Sequence, residues 1–232
     1  MKVVKDIRLF KSNIENIDNN PLPLYIASQD LNATAHRIAM KLRENNFSFG
    51  NFDHLYLNYT TCLPEGMVQP ALRSIDAYHS LYRYYDIGID EKLYNKIEAD
   101  ESRKYILGLV KETMNKYFTS DEESVKKLNN AIDIAVSEGE HMLMRFKTKK
   151  TAKYIAVIYL RYLNCAKYLP LLCIYDLNEK EILRKKLPLT IDLLSIGEIQ
   201  LSSKKVTVKP KKNILAKGLK PVTFELNNNK NI

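Results

Sequence analysis

The side chains able to do chemistry are few, and most lie between His54 and Gly88. The stretch reads His54-Leu55-Tyr56-Leu57-Asn58-Tyr59-Thr60-Thr61-Cys62-Leu63-Pro64-Glu65-Gly66, then Arg73-Ser74-Ile75-Asp76-Ala77-Tyr78, then Tyr82-Arg83-Tyr84-Tyr85-Asp86-Ile87-Gly88. His54, Glu65, Arg73 and Asp86 are residue types that move protons or hold anions, so an enzymatic site around them is one reading. Spacing does not support it. The 4 histidines, His36, His54, His79 and His141, are not spaced as metal ligands, and no serine lies in a nucleophile-elbow context. The 7 glycines are too scattered for a phosphate-binding loop. Cys62 would need a neighbouring cation or a helix N-terminus to become a thiolate, and a small buried residue at a strand end is expected instead. No catalytic residue, metal or cofactor is expected.

A contact surface is the stronger reading, because Tyr joins apolar area to a hydrogen-bonding tip and Arg and Tyr anchor protein interfaces. The candidate partner-binding residues are His54, Tyr56, Asn58, Glu65, Arg73, Asp76, Tyr82, Arg83, Tyr85 and Asp86. Their positioning follows from alternation. His54 to Tyr59 reads as a strand with Leu55, Leu57 and Tyr59 on one face and His54, Tyr56 and Asn58 on the other. Leu81 to Ile89 reads as a second strand, with Tyr82, Tyr84 and Asp86 opposite Arg83 and Tyr85. Thr60 to Pro70, with two prolines and Gly66, reads as the loop between them.

The elements around this pair are expected as follows. Val3 to Phe10 has strand-like composition, and the Asn-rich residues 11–20 read as a loop. Pro21-Leu22-Pro23 leads into a short extended segment, Leu24 to Ala27. A helix follows with Asp30 as N-cap, a stripe at Leu31, Ala35, Ile38, Ala39 and Leu42, and an end at Asn45-Asn46. The middle is helical: Glu91 to Ile97, about Glu101 to Phe118, and a third helix opened by Ser120-Asp121-Glu122-Glu123 as a capping box and closed by Gly139. Beyond Gly139, His141 to Phe146, Tyr154 to Leu163, Tyr168 to Tyr175 and Ile182 to Leu187 are β-branched and aromatic runs with short connectors, the pattern of an antiparallel meander. Residues 152–163 also fit a helical stripe; the aromatic content favours strand. Leu193 to Leu201 and Lys205 to Lys209 suggest further short strands, and Asn227 to Ile232 a frayed end. The expected fold is a single α+β domain over 1–232, with central helices at about 91–138, a mainly antiparallel sheet, a C-terminal β meander and a possible seam near 139.

Composition bounds the remaining possibilities. The 232 residues suffice for a sizeable core. The 3 cysteines, Cys62, Cys165 and Cys173, imply neither a disulfide framework nor a metal site. A charged N-terminal segment without an apolar run, and apolar stretches too short to cross a bilayer, point to a cytoplasmic protein with no membrane partner. The net charge of +9 is unevenly placed: residues 1–139 hold 17 Lys and Arg against 20 Asp and Glu, whereas residues 140–232 hold 19 against 7. Nucleic-acid binding by the basic part requires its lysine runs, 147–150, 184–186, 204–205 and 209–212, to gather on one face. Scattered over turns, they would only solvate the chain and guard strand edges.

The His54–Gly88 stretch resembles a family of immunity proteins encoded beside polymorphic toxins in bacteria, most clearly over 54–95 and more weakly over the strands after 140. The resemblance implies a non-catalytic cytoplasmic inhibitor that binds and neutralises a cognate toxin domain. Inhibitors of nucleases are often acidic, whereas this chain is basic overall. Either the toxin has an acidic surface or the contact uses the acidic N-terminal part. A nucleic-acid-binding accessory protein using the basic C-terminal part is the alternative.

Overall fold

In the computed structural model the described residues are 1–14, 25–71 and 79–226. The expectations for most of the 11–20 loop, for Pro21-Leu22-Pro23 and for Asn227 to Ile232 lie outside them. The fold is α+β, and the chain divides into two compact units, Met1–Gly139 and Glu140–Ile232. This is finer than one domain over 1–232, and the boundary falls where the charge balance changes. Among the described residues, no helix is long and apolar enough to cross a membrane.

The first unit is built on a sheet of β1 (Asp6–Ser12), β2 (Tyr25–Ile26), β3 (His54–Thr60), β4 (Val68–Pro70) and β5 (Tyr82–Gly88), in the order β2-β1-β3-β5-β4. The sheets of the chain are mainly antiparallel, but here β1, β3 and β5 run parallel and only the short edge strands oppose them. Strand β4 lies inside the stretch expected to be loop. The parallel centre explains the burial of β3, since such strands are shielded on both faces. Leu55, Leu57 and Tyr59 are 0% exposed, yet Tyr56 and Asn58 on the opposite face are also buried, at 5% and 2%. Alternation revealed two faces, but it did not reveal that both are covered.

Four helices complete the described part of this unit: α1 (Gln29–Glu44), α2 (Glu91–Asn95), α3 (Asp100–Phe118) and α4 (Glu122–Glu138). Ser28, not Asp30, caps α1: it has extended backbone and accepts from the Leu31 N–H, while Asp30 sits in the first turn. The capping box of α4 pairs Asp121 with Ser124, one residue later than expected. Helix α1 packs on β1 and α4, and α4 also meets α3. Asn32 of α1 accepts from the Leu9 N–H, a donor that the short β2 leaves without a strand partner, and donates to the Leu9 carbonyl, which also accepts from the Ala27 N–H at 3.1 Å. Tyr59 reaches α3, its hydroxyl 3.5 Å from the Ile106 carbonyl.

The second unit contains two antiparallel sheets. One is the expected meander, β6 (Met144–Lys150), β7 (Tyr154–Tyr162), β8 (Tyr168–Asp176) and β9 (Glu181–Lys186), in sequence order. A 3-10 turn at Gly139–His141 precedes β6, so that strand starts later than His141. Residues 154–162 are strand, paired with β6 on one side and β8 on the other. The other sheet holds β10 (Ile196–Leu201), β11 (Lys205–Pro210) and β12 (Val222–Glu225). The sequence reading missed β12, whose four residues are too few for a periodic signal. Gly197 marks a β-bulge: a Cβ there would lie 2.6 Å from both C and O of Pro210, so only glycine lets β11 approach.

Candidate functional site

The parallel register gathers the polar residues of β1, β3 and β5 into rows. Asp6, His54 and Tyr82 are aligned, then Arg8, Tyr56 and Tyr84, then Phe10, Asn58 and Asp86. In the first row His36 Nδ1 of α1 lies 3.1 Å from Asp6 Oδ1, and Arg8 Nε donates to Asp6 Oδ2 at 2.7 Å. A second His–carboxylate pair sits beside it. His54 Nδ1 is 2.5 Å from Asp53 Oδ1, and Lys5 Nζ is 2.7 Å from Asp53 Oδ2. Burial alone would raise both carboxyls. The partners outweigh it, His36 and Arg8 at Asp6, Lys5 and His54 at Asp53, and both are held below the usual carboxylate range.

Aromatic rings fill the same rows. His79 stacks on Tyr82 at 4.5 Å and 7°, His54 lies 4.1 Å from Tyr82, and Tyr56 meets Tyr82 and Tyr84 edge-on at 5.3 and 5.0 Å. The Arg8 guanidinium sits 5.6 Å over the Tyr56 ring. Burial pushes the Tyr56 hydroxyl up, so it stays protonated at physiological pH. These histidines are tied into cross-strand and helix-to-strand contacts. Among the described residues, no three His, Cys, Asp or Glu converge as metal ligands.

The candidate residues therefore divide. Asn58 and Asp86 are buried and bonded to each other, Asn58 Nδ2 donating to Asp86 Oδ1 at 2.7 Å. With the buried Tyr56 they belong to the interior, not to a contact surface, because the parallel centre of the sheet is shielded. His54 and Tyr82 are half-buried in the ring cluster. Arg83 and Tyr85 are half-buried on the opposite face. The Arg83 guanidinium lies 5.6 Å over Phe52 and donates to the Ser80 and Tyr82 carbonyls, and Tyr85 packs on Tyr117 and Phe118. Arg73 and Asp76 lie outside the described residues. Glu65 is exposed, and so is Cys62, contrary to the burial expected for it.

Glu65 stands at the carboxyl ends of the parallel strands, on a firmly seated loop. Gly66 N–H donates to the Gly88 carbonyl at 3.0 Å, Gly88 N–H to Met67 at 2.8 Å, and Met67 N–H to Pro64 at 3.0 Å. Gly66 has φ +76, and a Cβ on Gly88 would clash with the Pro64 carbonyl, so both glycines are required for this seat. Beside the loop is a cleft of about 550 Å³ whose lining includes Asn13, Glu65, Asp90, Glu91 and Tyr94. Asp90 caps α2 by accepting from the Leu93 N–H, and the Tyr105 hydroxyl lies 3.4 Å from Glu65 Oε1. Burial and the nearby Glu65 carboxylate push the Tyr105 hydroxyl up and keep it a donor. Among the described residues the lining presents Glu65, Asp90, Glu91 and Tyr94 without a Lys or Arg, and Lys11 Nζ lies 5.6 Å over the Tyr94 ring. Ligand sites of open α/β sheets favour this end. Asn13, Asp90, Glu91 and Tyr94 were not singled out in the sequence; the cue for them was a parallel sheet that single-strand patterns do not specify.

In the second unit the basic runs part company. Lys147 and Lys149 of β6 and Lys209, Lys211 and Lys212 at the end of β11 line one groove. Arg184-Lys185-Lys186 lies on β9, at the far edge of the meander, and Lys204-Lys205 at the β10–β11 turn. Comparison of the chain with protein-family models, curated proteins and solved structures finds no match.

Proposed function

We propose that this chain is a non-catalytic immunity protein that acts in the cytoplasm, binding and neutralising a cognate toxin domain through the carboxyl end of its parallel sheet. The observation that carries this reading is the seated Glu65 loop beside the Asp90–Glu91–Tyr94 cleft. A loop bonded to β5 at both Gly66 and Met67 loses little freedom on association, which lowers the entropic cost of binding. Carboxylates interleaved with Tyr94 and Tyr105 suit a partner with a basic surface: the charges speed and orient encounter, and the rings supply anchors. The positive balance of the chain comes from the second unit, whereas residues 1–139 hold 17 Lys and Arg against 20 Asp and Glu. The resemblance of residues 54–95 to immunity proteins points the same way.

The test is co-expression with the toxin domain encoded beside this chain. The native chain restores growth and co-purifies with the toxin. Glu65→Lys and Glu91→Lys, neither of which is the helix-capping residue, each weaken binding by about tenfold or more. Absence of rescue and of a complex with the native chain refutes the reading.

A further inference from the structure

Two of the four basic runs of the second unit, 147–150 and 209–212, do gather, as phosphate binding would require of them. Lys147, Lys149, Lys209, Lys211 and Lys212 line one groove of about 720 Å³ whose lining contains a single carboxylate, Glu198. The groove is built, not incidental. Lys147 Nζ is turned inward, donating to the Ile196 carbonyl at 2.7 Å and to the Gly197 carbonyl, which ties β6 to the β10 bulge. Burial and the neighbouring Lys211 push the Lys147 ammonium down from its ordinary value, as expected where cations are crowded. Glu198 relieves little of this: its carboxylate is 3.9 Å from Lys209 and accepts instead from Gln200 at 2.7 Å.

We propose that this groove binds the phosphate backbone of a nucleic-acid strand. Lys149, Lys209, Lys211 and Lys212 supply the phosphate contacts, and Lys147 and Gly197 hold the groove open. A nucleic acid fits better than an acidic protein, because five of the ten described lining residues are lysine and none is an aromatic side chain of the kind that anchors protein interfaces. Lysines contacting phosphates carry no sequence information, so binding is independent of base sequence. The site lies wholly in the second unit and does not depend on the toxin-binding reading.

The experiment uses the full chain and a fluorescein-labelled single strand of roughly 20 nucleotides, in DNA and RNA forms, with salt varied upward from about 50 mM. Four phosphate contacts give a slope of log affinity against log salt of about −3. Lys149→Gln/Lys211→Gln/Lys212→Gln lowers affinity at least about tenfold at low salt and flattens the slope to about −1. Lys180→Gln/Lys185→Gln/Lys186→Gln removes the same charge elsewhere in the unit and changes affinity less than about twofold. Absence of binding at low salt, or equal losses in both triple variants, overturns the proposal. Displacement of the strand by poly-glutamate at equal charge concentration also overturns it, in favour of an acidic protein partner.

Discussion

Replacing Gly88 by Ala tests the seat of the Glu65 loop most directly. A Cβ at Gly88 would press on the Pro64 carbonyl oxygen, 2.7 Å from its carbon and 2.8 Å from the Leu63 oxygen, all backbone atoms. Reaching an ordinary 3.4 Å contact requires the Pro64 carbonyl carbon to withdraw by about 0.7 Å, and its oxygen by more. That movement strains the hydrogen bonds from Gly66 to Gly88 and from Gly88 to Met67, at 3.0 and 2.8 Å. Overpacking costs about 1–3 kcal/mol and each weakened backbone bond up to about 1 kcal/mol, so Gly88→Ala should lose about 2–4 kcal/mol. For a unit of this size the midpoint falls by roughly 5–15 °C. Gly66→Ala is the internal comparison. Nothing lies within 4 Å of its Cβ, so only its φ of +76 is penalised, by about 1–2 kcal/mol. A chain of two compact units does not guarantee one transition, so urea denaturation should be paired with hydrogen exchange of the β3 and β5 amides. If Gly88→Ala stays within about 0.5 kcal/mol of the native chain with the Gly66 and Gly88 amides equally protected, the loop does not sit on β5 as described, and the argument for a preorganised Glu65 fails.

Other outcomes follow from the same contacts. Asp6 and Asp53 have native pKa values below the unfolded value of about 3.9, so they stabilise the fold at neutral pH and lose that contribution as pH falls below about 4. Acid-unfolding curves of Asp6→Asn and Asp53→Asn should start from lower neutral stability and show a flatter acid limb. Ser28→Ala should cost about 1 kcal/mol by urea titration while Asp30→Ala costs clearly less, because Ser28 holds the Leu31 N–H. A thiol reagent should label Cys62 and Cys165 in the native chain and Cys173 only on unfolding, since Cys173 is buried and burial pushes its thiol up. Rapid labelling of all three thiols would contradict the packing of β8.

Much of the fold was legible because the signals were local. Stripes at helical spacing placed α1, α3 and α4 to within a few residues, and runs of β-branched and aromatic residues with short connectors placed the meander. Short connectors permit only antiparallel neighbours, so local pattern also gave the pairing there. The charge count separated an acidic N-terminal part from a basic C-terminal part at the position where the chain divides. Strand pairing in the first unit was not legible, since β1, β3 and β5 meet across long stretches of chain and nothing in an alternating strand says which neighbour it takes or in which direction. That pairing decided the fate of the candidate residues: it buried Tyr56, Asn58 and Asp86, left Glu65 outside, and brought Asp90, Glu91 and Tyr94 to the same strand ends. The lysine groove has the same origin. Lys147-Lys150 and Lys209-Lys212 are about sixty residues apart, and only the packing of β6 beside β10 joins them. Sequence determined the helices, the longer strands and the charge each part carries, but not the short strands β4 and β12; tertiary structure decided which side chains share a surface, because that depends on partners distant along the chain.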